Sequence, residues 1–214
     1  RTHGALDPVL FDSTSLRLGQ LWSPWSFPGD LTAGSLAGSF DWRWTMNAQQ
    51  QLHVQGGSAD FVVDRVDGRY REMVLTGINT KLKVGIEGLE RIVVSRPAEV
   101  TIASIQTGVE VTDLTMTLEG EWDLQEKLPL LEVRNIRCGL LGGMATSQGM
   151  RADLGYPPYG LTVLFRELDL QKILTLEQQK GLQGIGMLDG SIPVIVTTQG
   201  IGVKDGIFEA RPPG

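Results

Sequence analysis

The stretch Gly184-Ile185-Gly186-Met187-Leu188-Asp189-Gly190-Ser191-Ile192-Pro193-Val194-Ile195-Val196, followed by Gly200-Ile201-Gly202-Val203-Lys204-Asp205-Gly206-Ile207-Phe208, decides the fold. It reads as a glycine-studded pair of strands, and a helix over 169–179 leads into it. Asp169 can accept hydrogen bonds from the free N–H groups of a first helical turn. Leu170, Ile173 and Leu174 share one face at helical spacing, with Gln171, Lys172, Gln178 and Gln179 off it. Lys180 suits the negative end of the helix dipole, and Gly181 supplies a left-handed stop. Such a helix spans only about 16 Å, roughly the length of one five-residue strand. Almost everything upstream alternates with period two, so one short helix must serve a large sheet.

Residues 34–46 form the clearest strand. Leu36, Phe40, Trp42, Trp44 and Met46 fall on one face, and Ser39, Asp41, Arg43 and Thr45 on the other. Residues 114–122 repeat the pattern, with Leu114, Met116, Leu118, Gly120 and Trp122 against Thr115, Thr117, Glu119 and Glu121. Further strands are expected over 9–18, 52–54, 61–66, 70–75, 81–86, 91–95, 100–105, 109–111, 130–136, 144–154 and 161–165. Gln55-Gly56-Gly57 reads as a break. Asp67-Gly68 reads as a hairpin turn, because both residues can take positive φ. Trp22, Trp25 and Phe27 stand in a proline-bounded loop, either plugging the end of the core or forming an apolar lip over a groove. Pro193 needs an edge, a bulge or a strand end, since it has no N–H for a ladder. Gly34-Ser35-Leu36-Ala37-Gly38-Ser39-Phe40-Asp41-Trp42 matches Gly186-Met187-Leu188-Asp189-Gly190-Ser191-Ile192-Pro193-Val194 in spacing. Gly108-Val109-Glu110-Val111-Thr112-Asp113 matches Gly200-Ile201-Gly202-Val203-Lys204-Asp205 at a different offset, which excludes a regular solenoid and leaves one kind of strand reused, or chance similarity among Gly-rich strands.

Composition bounds the class. The chain has 214 residues, of which 41% are hydrophobic, enough for a folded core. A single module over 1–214 is expected, with possible sub-parts 1–123 and 130–214. The 27 glycines mean turns, bulges and places where side chains must be absent. A net charge of −6 with no basic patch argues against nucleic acid as a partner. Cys138 is alone, so no internal disulfide can form, and it reads as a small buried hydrophobe. No apolar run approaches the length of a membrane-spanning helix. The abrupt ends at Arg1 and Gly214 read as cuts in a longer protein, or as the limits of an ordered piece.

Residue chemistry points to no reaction. His3 and His53 lack partners at ligand spacing, and His53 sits out of phase with Leu52 and Val54, at a solvent-facing position. There is no nucleophile elbow and no phosphate loop of the nucleotide-hydrolase kind. Gly184-Ile185-Gly186 begins like a dinucleotide loop, but Asp189 stands where the third glycine belongs and a helix precedes it. Asp60, Asp64 and Asp67 come nearest to an acidic cluster and read as solvated carboxylates, without the closing Glu of a calcium loop. No catalytic residue, metal or cofactor is expected, and the chain is not read as an enzyme.

A sheet with one dry face must put that face against something. A second sheet would close a sandwich or barrel. The alternative is one long sheet, curled by glycines and bulges into a trough with the helix at one end. Periodicity alone favours the sandwich or barrel; the trough reading is mainly β, a long curled antiparallel sheet forming a groove, with one short α-helix near the C-terminus. Leu36, Phe40, Trp42, Trp44, Ile192 and Val194 are the residues expected to face the groove or its core.

The C-terminal third resembles a known family. The residues that carry the likeness are Leu141-Gly142-Gly143, Leu168-Asp169-Leu170, the run from Gln178 through Val194, and Asp205-Gly206-Ile207-Phe208-Glu209-Ala210-Arg211-Pro212-Pro213-Gly214. Together they are similar to the YdbH-like family, which carries an older label, "dicarboxylate transport", and belongs with the AsmA-like envelope proteins. The resemblance implies a Gram-negative periplasmic segment of an inner-membrane-anchored protein, the anchor lying before Arg1. It implies a β-groove that shelters phospholipid acyl chains between the two membranes, with a small outer-membrane lipoprotein as partner. A rival reading is an envelope scaffold that adds a partner's strand to its sheet edge. The dicarboxylate label finds no support in the residues, since no cluster of Arg or Lys forms an anion site.

Overall fold

Period-two alternation draws almost the whole chain into extended backbone. The computed structural model describes residues 2–11, 29–46, 52–88, 90–125, 129–153, 156–176, 184–197 and 200–211. The elements are β1 (Thr2–Phe11), β2 (Gly29–Met46), β3 (Leu52–Tyr70), β4 (Met73–Glu87), β5 (Arg91–Val94), β6 (Ala98–Gln106), β7 (Glu110–Asp123), β8 (Leu130–Leu140) and β9 (Gly143–Asp153). They continue as β10 (Tyr159–Asp169), helix α1 (Leu170–Leu176), β11 (Met187–Thr197), β12 (Gly200–Val203) and β13 (Ile207–Ala210).

All the described strands join one 13-stranded antiparallel sheet, ordered β1-β2-β3-β4-β5-β7-β8-β9-β10-β11-β12. Most strands that follow each other in sequence, other than β5–β6 and β12–β13, are neighbours in the sheet. β5 and β6 together fill the slot between β4 and β7, and β13 pairs β11 beside β12. Among the described residues β1 does not pair with β12 or β13, so the sheet is open and no barrel closes. The long antiparallel sheet with one short C-terminal helix is the expected fold.

Long strands bend at left-handed residues. Gly34 (φ 126°) in β2, Arg65 (φ 47°) in β3, Gly77 (φ 66°) in β4 and Asp113 (φ 50°) in β7 form a row across the sheet. Register slips accompany them, at Ala33/Ser35, Val63/Val66 and Thr112/Thr115. Val66, only 1% exposed, fills the space above Gly34, where a Cβ would stand 2.6 Å from the Val66 Cα. Asn135 (φ 53°) and Gly149 (φ 113°) bend β8 and β9 together, and Glu167 (φ 58°) bends β10. Aligned bulges increase twist and turn a flat sheet into a curved one. Beyond its bend β9 leaves β10: their ladder covers only Leu164↔Thr146, Phe165↔Ala145 and Arg166↔Met144.

Three local readings change. Asp67-Gly68 makes no turn; it lies inside β3, and Arg71-Glu72 turn the chain instead, with Arg71 at φ 53°. The Asp67 carboxylate accepts the Gly77 N–H at 2.8 Å, and a Cβ on Gly68 would stand 3.0 Å from the Asp30 carbonyl oxygen. The pair therefore serves the bulge row. Gln55-Gly56-Gly57 does not break the strand either: Gln55 is the extra residue of a bulge, with Val54 opposite Trp44 and Gly56 opposite Arg43. The segments 109–111 and 114–122 are one strand, β7, bent at Asp113. Pro193 sits where β11 passes from β12 to β13, and its carbonyl accepts the Lys204 N–H at 3.0 Å. The first-strand reading over 12–18, the aromatic loop at Trp22, Trp25 and Phe27, and the helix stop at Lys180-Gly181 lie outside the described residues.

Helix α1 starts as its cap dictates. The Asp169 carboxylate accepts the N–H groups of Gln171 (2.9 Å) and Lys172 (3.4 Å). Leu170 and Leu174 lie over Gly184, where a Cβ would stand 2.8 Å and 3.0 Å from their methyl carbons. Lys172, Thr175 and Leu176 face the turns at 108–112 and 139–143 across a cleft of about 550 Å³. The helix thus covers one end of the strands, not a face of the sheet.

A polar clamp ties the last strand beside it. Asp189 accepts the Glu167 N–H at 2.8 Å and the Arg211 Nε–H at 2.6 Å, while Arg211 also reaches Glu167 at 2.7 Å. The Glu167 N–H, and after it the Arg211 guanidinium, hold the Asp189 carboxyl below the usual carboxylate range. A depressed carboxyl stabilises the fold above its unfolded pKa, about 3.9, and that contribution fades as pH falls through the folded value. The β13 amides are therefore protected relative to their intrinsic exchange at pH 7 and lose that protection below about pH 4. Asp189→Ala lowers their protection factors at pH 7 to the acid level. Exchange measured by NMR checks this; a β13 equally protected in the variant contradicts it.

Candidate functional site

In an antiparallel ladder, residues directly opposite each other point to the same side of the sheet. The registers can therefore be followed from strand to strand. Leu36 faces Val63, Phe40 faces Ala59 and Trp42 faces Gly57 across β2 and β3. Ala59 leads to Val84 in β4, and Val84 to Val94 in β5. Val100 in β6 leads to Met116 in β7, and Leu118 to Val133 in β8. Val133 leads to Met150 in β9, while Val163 and Leu161 of β10 meet Ile192 and Val194 of β11. One side of the sheet is mainly apolar from β2 to β11.

The other side carries the charges. Lys83 pairs with Asp60 at 3.1 Å, Arg91 with Glu121, and Arg134 with Glu119 (3.3 Å) and Glu132 (2.8 Å). Arg134 holds the Glu132 carboxyl below its ordinary value by donating a hydrogen bond to it. His53 is exposed and opposite Thr45, on this polar side. Cys138 lies opposite Ala145, half-buried, and burial pushes its thiol pKa up. An upshifted thiol is a poor nucleophile. No group of three or more His, Cys, Asp or Glu among the described residues could hold a metal ion.

The apolar side is only thinly covered. The buried apolar residues among those described are mostly small: Ala59, Ala98, Ala145 and Ala152, with Val66, Val100, Ile102 and Leu168. The large ones remain accessible: Trp44 at 38%, Phe61 at 43% and Phe208 at 43%. All thirteen described strands lie in one sheet, and among the described residues no second sheet packs on it.

Leu36, Phe40 and Trp42 are half-buried on this face, Trp44 is exposed on it, and all four stand together in β2. Ile192 and Val194 are half-buried on the same face in β11. Eight ladder steps separate β2 from β11, or about 38 Å along the sheet at the usual strand spacing. The six residues share a surface but not a pocket. Sequence reasoning missed Phe165 and Phe208, whose rings meet at 5.8 Å and 34°. They come from separate strands, and only the β10-β11-β13 register brings them together.

A family model described as YdbH-like, intermembrane phospholipid transport protein YdbH, matches residues 8–214. No curated protein and no solved structure matches the chain.

Proposed function

The chain belongs to the YdbH-like family, described by intermembrane phospholipid transport, and from that premise we propose that its apolar sheet face is the track along which acyl chains travel. The observation that carries this reading is the apolar side of the sheet, which bears no second sheet among the described residues. Each 100 Å² of such surface left to water costs about 2.5 kcal/mol. An acyl chain removes that cost without a reaction, so the module acts as a non-enzymatic conduit. The path of eleven strands is about 48 Å wide across the ladders. One leaflet's acyl layer is about 15 Å deep, so the face is longer than one lipid, a track rather than a pocket. Its axis runs across the strands, and the helix at the strand ends leaves it open. Leu36, Phe40, Trp42, Trp44, Ile192 and Val194 line this track in our reading.

On the same reading the chain is a single periplasmic module of a protein anchored in the inner membrane. No helix among the described residues is long and apolar enough to cross a membrane. The outermost strands favour a second role at the C-terminal end. Among the described residues β12 and β13 pair only with β11, so their outer edges offer backbone groups for strand addition by a small outer-membrane lipoprotein.

Photo-crosslinking tests the track. A benzophenone side chain placed at Leu36 or Ile192 labels phospholipid in cells, and the same group at Asp60 or Ser191, on the polar side, does not. Equal labelling from both sides, or none from either, refutes the proposal.

A further inference from the structure

The Gly-Ser repeat of β2 and β11 has a counterpart in three dimensions. Gly38 of the first copy lies opposite Phe61, and Gly190 of the second lies opposite Phe208. A Cβ on Gly38 would stand 3.3 Å from the Phe61 Cδ1, and one on Gly190 would stand 2.6 Å from the Phe208 Cε1. Two more pairs follow the same rule. Gly4 lies opposite Phe40, whose Cε2 would be 2.7 Å from an added Cβ, and Gly57 lies opposite Trp42, whose Cε3 would be 3.2 Å away. Side chains on a strand ordinarily stand perpendicular to the sheet. Here each ring leans across the ladder and lies on the neighbouring strand, in the space that a missing side chain leaves. All four pairs are on the apolar face, at its two ends: three in β1–β3 and one between β11 and β13. The strands between carry mainly aliphatic side chains there.

We propose that these glycine–aromatic pairs are positioning residues that set the depth of the track. A ring lying flat offers its face to a passing chain and raises the floor by about one van der Waals thickness, ~3.5 Å. A ring standing upright would project across the path. Glycine is a poor strand residue, and a sheet built for stability alone would carry β-branched residues at these positions. The flat rings keep both ends of the track passable for a straight, flexible hydrocarbon chain and recover the packing that the glycines forgo. This inference rests on the phospholipid reading above.

Gly4 gives the cleanest test, because an added Cβ there would meet the Phe40 ring before any other group. The full chain is incubated with phosphatidylethanolamine–phosphatidylglycerol vesicles containing a phospholipid with a diazirine on its acyl chain, and labelling is read after irradiation. Gly4→Ala lifts the Phe40 ring and lowers labelling about tenfold, the size of one overpacked contact opposing binding. Gly38→Ala, where Phe61 need yield only slightly, lowers it less. In a Phe40→Ala background the Gly4→Ala effect disappears, because no ring remains to be lifted. Melting temperatures identify any loss due to unfolding, which the Phe40→Ala background would also relieve, so only a loss in a chain that melts with the wild type counts for the inference. A wild-type chain that labels while Gly4→Ala labels equally overturns the inference and leaves the phospholipid reading intact. A Gly4→Ala loss that persists without the Phe40 ring also overturns it, since the glycine would then act through the backbone. A wild-type chain that takes no label overturns both.

Discussion

Phe61→Asp strips the chain of phospholipid and leaves it folded. Phe61 is 43% exposed on the apolar side, so its removal forfeits about half of a full burial, on the order of 1 kcal/mol. The carboxylate, by contrast, would have to be desolvated by every acyl chain that passes. A charge facing hydrocarbon costs about 3 kcal/mol even after relaxation, which reduces co-purifying phospholipid about 150-fold. Val62 supplies the control. It is adjacent in sequence, 38% exposed and opposite Lys81 on the polar side. Val62→Asp keeps wild-type phospholipid. Mass spectrometry of lipid extracted from the purified variants reads both, and equal losses would show that general destabilisation, not the track, governs the result.

Gly149→Val is the substitution with the largest expected effect on stability. Gly149 stands at φ 113°, where its N–H meets the Ser147 hydroxyl at 3.2 Å. A Cβ there would overlap the Val133 carbonyl oxygen and approach the Arg134 Cα at 2.7 Å. Backbone strain and overpacking each cost about 1–3 kcal/mol. Together they remove about 3 kcal/mol or more and lower the melting temperature by roughly 6–12 °C for a domain of this size. Gly160→Ala is the contrast: a Cβ there would meet nothing nearer than the Val194 carbonyl oxygen at 4.0 Å, and its stability change stays within about 0.5 kcal/mol. Thermal melts of the two variants decide it. A Gly149→Val protein that melts with the wild type would mean that the β8–β9 bend does not constrain the sheet.

The candidate surface was partly legible in the residues. Alternation in β2 put Leu36, Phe40, Trp42 and Trp44 on one side before any register was known, because facing along a strand depends only on odd and even positions. The Asp169 cap was legible for the same local reason. Asp67-Gly68 misled, because a pair able to turn can equally serve a bulge, and the partner that decides is Gly77 on the next strand. Phe61, Phe165 and Phe208 were not legible as floor residues. Their neighbours on the face come from other strands, and pairing partners cannot be read from spacing.

The amino-acid sequence by itself determined which residues extend, which side of each strand is dry and where helix α1 begins, since each of these is settled within a few residues of chain. Only the tertiary structure decided that the described strands form one sheet whose two ends do not pair with each other. That depends on whether β1 meets β12, on the row of bulges from Gly34 to Asp113, and on where α1 comes to rest. Each is a relation between distant segments, and covering a face or leaving it bare follows from how the whole sheet curves.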